Sequence, residues 1–133
     1  MSSVDYSLSI DLDRDFDEVV SATRAALADE GFGVLTEIDV KATMKTKLDV
    51  DLEEYLILGA CNPPLAHQAL GAEPEIGVLL PCNVVVYRTD GTTRVSAVAA
   101  EQMLGMVGNA ELAPIAAEVA GRLDRVLAAV AAA

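Results

Sequence analysis

One tight turn constrains the fold of this chain more than any other feature. The dipeptide Asp90–Gly91 is typical of a two-residue β-hairpin turn, because both residue types tolerate the backbone conformation that such a turn needs. Residues 83–88 before the turn and 93–98 after it are rich in residues that favour strands. We therefore predict two neighbouring antiparallel strands joined by this turn.

A long amphipathic helix is predicted at the C-terminus. Its apolar side chains recur at intervals of three and four residues, which places them on one face of a helix. They are Leu112, Ile115, Ala116, Val119, Leu123, Val126, Leu127 and Val130. An apolar stripe of this length needs a second layer to cover it, and the predicted sheet supplies that layer.

The rest of the chain alternates between strand and helix patterns. Further strands are predicted at 6–12, 33–38 and 55–60, and further helices at 16–27, 40–48 and 63–70. The stretch of Gly, Met and Asn that leads to Asn109 is predicted to be a loop. The predicted fold class is α+β, with a mainly antiparallel sheet packed with helices and a long C-terminal helix. Residues 1–133 are expected to form a single compact domain.

The charge of the chain excludes several classes of partner. Twenty-one acidic and nine basic residues give a net charge of −12, which opposes binding to nucleic acid or to an anionic membrane. Its apolar runs are shorter than the ~20 residues that a membrane helix needs. Because the N-terminus shows no signal-peptide pattern, we expect a cytoplasmic protein. The acidic excess indicates adaptation to concentrated salt, with an ordinary acidic protein as the alternative.

The strongest candidate for chemistry is the stretch Cys61–Asn62–Pro63–Pro64. Asn62 is a favoured N-cap and Pro63 suits the first helical position, so a helix is predicted directly after a strand that leads to Cys61. Unpaired backbone amides and the helix dipole would stabilise a thiolate there. Cys61 is therefore the candidate catalytic residue. A small buried residue at the end of the strand is the alternative.

A second Cys-Asn pair, Cys82–Asn83, stands at the fourth predicted strand. We expect the two pairs to lie at neighbouring strand ends, with Asn62, Cys82 and Asn83 as candidate ligand-binding residues. His67, the only histidine, falls about one helical turn inside the helix that follows Cys61 and is a further candidate. No metal site and no cofactor are predicted, because the cysteines and the histidine match no standard zinc spacing.

All three lysines of the chain fall within seven residues, at Lys41, Lys45 and Lys47. Lys41 and Lys45 are four residues apart and so share one face of the predicted helix, where two ammonium groups could meet an anion. Both are candidate ligand-binding residues. The alternative is a solvated helix face that is paired with Glu37 or Asp49.

Three stretches of the chain resemble the domain of unknown function 302 family. They are residues 31–41, 58–66 and 79–86, which read GFGVLTEIDVK, LGACNPPLA and LLPCNVVV. The similarity covers nearly the whole chain. It implies a compact α+β domain that is often dimeric, and it implies no established activity.

Three functions from different classes remain open. The first is a binding or sensing module for a small anionic or sulfur-containing ligand near the two Cys-Asn turns. The second is a thiol-based redox or sulfur-transfer enzyme that uses Cys61, and the third is a dimeric interaction protein with no ligand. We favour the first, because no second acid or base is evident near the thiol. We also expect a homodimer, because so apolar a small domain has more hydrophobic surface than one core absorbs.

Overall fold

The fold is taken from a computed structural model, which describes residues 2–133. Its strands are β1 (Ser2–Val4), β2 (Ser7–Leu12), β3 (Gly33–Asp39), β4 (Tyr55–Cys61), β5 (Cys82–Thr89) and β6 (Thr92–Val98). Its α-helices are α1 (Phe16–Asp29), α2 (Val40–Leu48), α3 (Pro63–Ala72), α4 (Ala100–Gly105) and α5 (Ala113–Ala132). The strands form one sheet in the order β1-β2-β6-β5-β4-β3, and every neighbouring pair is antiparallel. The predicted α+β class and single compact domain are confirmed.

The predicted hairpin joins the two central strands of the sheet. Asp90 and Gly91 have positive φ angles of 49° and 79°, as a two-residue turn between twisted strands needs. In the ladder that follows, Val84 pairs with Ala97 and Val86 pairs with Val95. The prediction that residues 83–88 and 93–98 are antiparallel neighbours is therefore confirmed.

The hydrophobic core lies between one face of the sheet and the helices. Side chains alternate along a strand, so every second residue of β4, β5 and β6 points towards the helices. The fully buried ones are Leu58, Val84, Val86 and Val95, and they belong to the same core as Val19, Leu27, Leu123, Leu127 and Val130 of α1 and α5. All eight residues of the predicted C-terminal stripe are buried.

The opposite face of the sheet, called the open face below, carries the alternate residues of the same strands. It consists of Ser9, Asp11, Thr36, Ile38, Tyr55, Ile57, Asn83, Val85, Tyr87, Arg94 and Ser96. These residues are half-buried or exposed, whereas their strand neighbours Leu56, Leu58, Val84 and Val86 are buried. One side of the sheet is therefore packed and the other is accessible.

Two local predictions differ from the structure. The stretch predicted as a loop before Asn109 contains α4, which buries Ala100 and Leu104. No side chain caps this helix at its start, so the sequence lacks the usual signal for it. The first predicted strand begins at Ser7 rather than Tyr6, because residues 5–6 form a turn between β1 and β2. The segment Pro74–Leu79, for which no element was predicted, forms a 3₁₀ helix.

Across residues 2–133, none of the helices has both the length and the apolar character that crossing a membrane requires.

Candidate functional site

The two cysteines lie at the same end of the sheet. Because β4 and β5 are antiparallel neighbours, the last residue of β4 lies beside the first residue of β5. Ala60 pairs with Cys82, and Cys61 follows Ala60 directly. Both thiols are free. The fold therefore brings Cys61 and Cys82 together, as we expected for the two Cys-Asn pairs.

Both cysteines line one small cavity, called the cysteine cavity below, between this end of the sheet and helices α3, α4 and α5. Its volume is about 30 Å³, room for roughly one water molecule. Asn62 is its other polar lining residue, and no charged residue of the described chain lines it. The apolar lining includes Phe32, Leu65, Ala66, Ala69, Leu80, Leu104, Ile115 and Val119.

The start of α3 has its backbone amides already satisfied. Pro63 and Pro64 occupy the first two helical positions, and proline has no N–H. The Leu65 N–H donates to Asn62 Oδ1 at 3.2 Å, and the Ala66 N–H donates to the Asn62 carbonyl at 2.9 Å. The predicted helix start and its Asn62 cap are confirmed. The prediction of unpaired amides is wrong for the first three helical residues, because Pro63 and Pro64 carry no N–H and the Leu65 N–H is bound by the cap.

The two thiols differ in exposure. Cys82 is buried, with 7 % of its surface exposed, whereas Cys61 is half-buried. Burial, together with a smaller effect of the neighbouring Cys61, raises the pKa of Cys82 from 9.0 to about 11. Cys82 is therefore a neutral thiol at pH 7.

Asn83 and His67 lie away from the cysteine cavity. Asn83 is exposed and pairs with Gly59 on the open face. Successive residues of a strand point to opposite faces, so Asn83 and the buried Cys82 face different sides of the sheet. His67 is exposed on α3 and is not among the residues that line the cavity.

The two candidate lysines lie at the other end of β4, because α2 connects the end of β3 to the start of β4. Lys45 Nζ lies 2.8 Å from Asp49 and 3.3 Å from Asp51, and these carboxylates raise the pKa of Lys45. Lys41 Nζ lies 3.5 Å from Glu54. The ammonium groups are therefore paired with acids and distant from the cysteines.

Several lining residues of the cysteine cavity were not predicted as site residues from the sequence. Leu104 belongs to α4, which was predicted as a loop, and Ile115 and Val119 were predicted only as part of the buried stripe of α5. Their apolar character indicates burial but does not indicate a cavity. The one usable signal was the pair of Cys-Asn motifs, which correctly marked the end of the sheet.

Known proteins with the same architecture support the fold. The crystal structure of an uncharacterized conserved protein DUF302 from Bacillus stearothermophilus is similar to this structure, with a TM-score of 0.87 and 30 % sequence identity. The similarity covers 93 % of this chain and 97 % of that one. A comparison with curated proteins finds no match. The family model for the domain of unknown function DUF302 matches residues 8–130, and the chain therefore belongs to the DUF302 family.

Proposed function

We propose that this domain is a binding module that holds a small, uncharged, sulfur-containing molecule in the cysteine cavity. The observation that carries the proposal is that a half-buried cysteine and a buried cysteine are both lining residues of the same apolar cavity. Sites for small molecules are mostly apolar and contain a few polar groups that converge on the ligand. Thiol sulfur is polarizable, which suits contact with another sulfur atom.

The charges of the site favour an uncharged ligand over an anion. The cysteine cavity has no charged lining residue within the part of the chain that the structure describes. The backbone amides at the start of α3 are unavailable to a ligand. The Leu65 and Ala66 N–H groups donate to Asn62, and the two prolines before them have no N–H. The chain also carries a net charge of −12, which repels anions at long range. Of the two ligand classes predicted from the sequence, we therefore retain the sulfur-containing ligand and no longer propose an anionic one.

The size of the cavity indicates how a ligand enters. A cavity of about 30 Å³ admits little more than one water molecule, so a larger molecule needs a neighbouring element to move. Helix α3 suits this movement, because Ala69 is its only buried residue. Its far end is held by Asn109, whose side-chain amide donates to the Ala72 carbonyl at 3.0 Å. We propose that α3 shifts outward between its attachment to β4 at Cys61–Asn62 and this contact at its far end when a ligand enters.

Binding is better supported than turnover. A thiol-based redox or sulfur-transfer enzyme would need a base close to Cys61, but His67 is exposed and lies outside the cavity lining. Cys82 does not serve as a second reactive thiol at pH 7, since burial keeps it protonated. Two free thiols are stable in a reducing compartment, which supports our proposal of a cytoplasmic location.

Native mass spectrometry tests the proposal. We expect the protein, purified from its own cells without added thiols, to carry a small molecule that denaturing conditions release. Ala66→Leu adds a larger side chain to the cavity lining and should reduce the occupied fraction at least about tenfold, because overfilling a small space is unfavourable. Ala72→Leu is the matched control, since Ala72 lies on the same helix but outside the cavity lining.

A bound molecule in the wild-type protein and in Ala72→Leu, but not in Ala66→Leu, would support the cysteine cavity as its site. A molecule retained equally by both variants would place the site elsewhere. A wild-type protein that carries no molecule would also contradict the proposal.

A further inference from the structure

We infer that the open face of the sheet carries a second binding site, which takes a neutral sugar of about the size of a monosaccharide. A cavity of about 330 Å³ lies on this face, at the lower end of the range for small-molecule sites, about 300–1,000 Å³. All three tyrosines of the chain, Tyr6, Tyr55 and Tyr87, line it, and we call it the tyrosine cavity. It shares no lining residue with the cysteine cavity.

The register of the sheet positions the two ends of the tyrosine cavity. Tyr87 pairs with Tyr55 across β5 and β4, and their rings stack with centroids 4.8 Å apart. Val85 lies two residues before Tyr87 on β5, so both side chains point to the open face. Tyr6 directly precedes β2, whose first residue pairs with Val98 at the end of β6. Aromatic side chains therefore stand at both ends of the cavity, with Val85 between them.

The surroundings of Tyr87 disfavour a cationic ligand. Tyr55 and Arg94 flank Tyr87 on the two neighbouring strands, and the guanidinium carbon of Arg94 lies over the Tyr87 ring, 5.8 Å from its centroid. Both faces of this ring are therefore occupied, and its edge is left for a ligand. Cations bind the negative face of an aromatic ring, whereas the ring edge is positive. The edge of Tyr87 attracts electron-rich atoms such as the oxygens of a sugar.

Arg94 does not turn the tyrosine cavity into an anion site. Its guanidinium donates to both carboxylate oxygens of Asp11 at 2.6 and 3.1 Å, so the two charges neutralise each other, and neither residue lines the cavity. The same contacts hold Arg94 in place beside Tyr87. A site whose side chains are already held in place loses less conformational entropy when a ligand binds.

The polar groups of the tyrosine cavity match those of a sugar. Ser7, Ser96 and Asn83 line it together with the tyrosines, and no charged residue among residues 2–133 does so. A hydroxyl both donates and accepts, and an amide offers two donors and one acceptor. The Tyr87 hydroxyl accepts from Arg94 at 3.2 Å, so its own O–H remains free to donate. Sugar hydroxyls also donate and accept, while sugar C–H groups suit contact with aromatic rings.

Tyrosine fluorescence tests the inference in the full chain, because the chain has no tryptophan and all three tyrosines line this cavity. We expect at least one of glucose, galactose and mannose to change the emission in a saturable manner, and to have no such effect on the protein unfolded in urea. Ser96→Val removes a lining hydroxyl and Asn83→Leu removes the amide. Each should raise the dissociation constant at least about fivefold, because each deletes hydrogen bonds to the sugar.

Ser9→Val is the matched control, because Ser9 pairs with Ser96 on the same face but does not line the tyrosine cavity. This variant should bind the sugar as the wild type does, and so should Ala66→Leu, whose change lies in the cysteine cavity. The two proposed sites therefore stand or fall independently. Circular dichroism should show that all the variants are folded.

The absence of a saturable change with all three sugars would overturn the inference. A saturable change with tetramethylammonium in place of the sugars would also overturn it, because the tyrosines would then form a cation site. Equal affinity in the wild type, Ser96→Val and Asn83→Leu would contradict it as well, because the sugar would then bind elsewhere.

Discussion

Iodoacetamide is expected to label Cys61 at least about a hundredfold faster than Cys82 at pH 7. The thiolate is the reactive species, and burial raises the pKa of Cys82 from 9.0 to about 11. A rise of two units lowers the thiolate fraction at pH 7 by about a hundredfold. Only 7 % of the surface of Cys82 is exposed, which slows the reagent further. Cys61 is half-buried and therefore accessible.

The two rates can be measured separately by mass spectrometry on Cys61→Ala and Cys82→Ala, each of which retains one thiol. Labelling in denaturant provides the control, because both thiols should then react at similar rates. A Cys82 that reacts as fast as Cys61 in the folded protein would contradict the description of Cys82 as a buried neutral thiol. A Cys61 that reacts only after unfolding would show that it is structural.

Gly59→Ala is expected to destabilise the protein by roughly 2 kcal/mol, which is the usual cost of forcing an extra group into a packed site. A Cβ atom at Gly59 would overlap the Thr36 hydroxyl and lie 2.8 Å from the Pro81 ring carbon Cγ. The Thr36 side chain can rotate away, but the proline ring is rigid. Because Pro81 directly precedes Cys82, the same clash displaces the start of β5 beside the cysteine cavity.

Urea denaturation measures this loss as a lower midpoint with an unchanged slope. Gly71→Ala is the matched control, because nothing lies within 4 Å of the position that its Cβ would take. Alanine is favoured over glycine within a helix by about 0.5–1 kcal/mol, so Gly71→Ala should stabilise α3 slightly. A Gly59→Ala protein as stable as the wild type would show that β3 and Pro81 do not pack closely on Gly59.

Local signals in the sequence predicted most of the fold. Asp90–Gly91 predicted the central hairpin, Asn62 predicted the start of α3, and the apolar spacing of α5 predicted its buried face. Each of these signals acts over a few residues. Helix α4 could not be predicted in this way, because contacts of Ala100 and Leu104 with the core hold it rather than a capping side chain.

The candidate site could be predicted only in part. The Cys-Asn motifs marked the correct end of the sheet, because the strand and helix signals around them were strong. The face of the sheet to which a side chain points depends on the register of the strand, because successive side chains point to opposite faces. For that reason Cys82 and Asn83, adjacent in sequence, lie on opposite faces. Asp49 could be predicted as a partner of Lys45, because it lies four residues further along the chain, whereas the pairs Lys45–Asp51 and Lys41–Glu54 depend on the path of the loop after α2.

A nuclear magnetic resonance titration with dimethyl sulfide tests the proposed binding function most directly, because this molecule is small, uncharged and contains sulfur. The backbone amide signals of Cys61, Leu65, Ala66 and Cys82 should shift in a saturable manner, and Ala66→Leu should abolish the shifts while Ala72→Leu retains them. Sulfate at matched ionic strength should leave the same signals unchanged, because no charged residue of the described chain lines the cysteine cavity and the Leu65 and Ala66 amides already donate to Asn62. Unchanged signals around the cysteine cavity with dimethyl sulfide, or saturable shifts there with sulfate, would contradict the proposal.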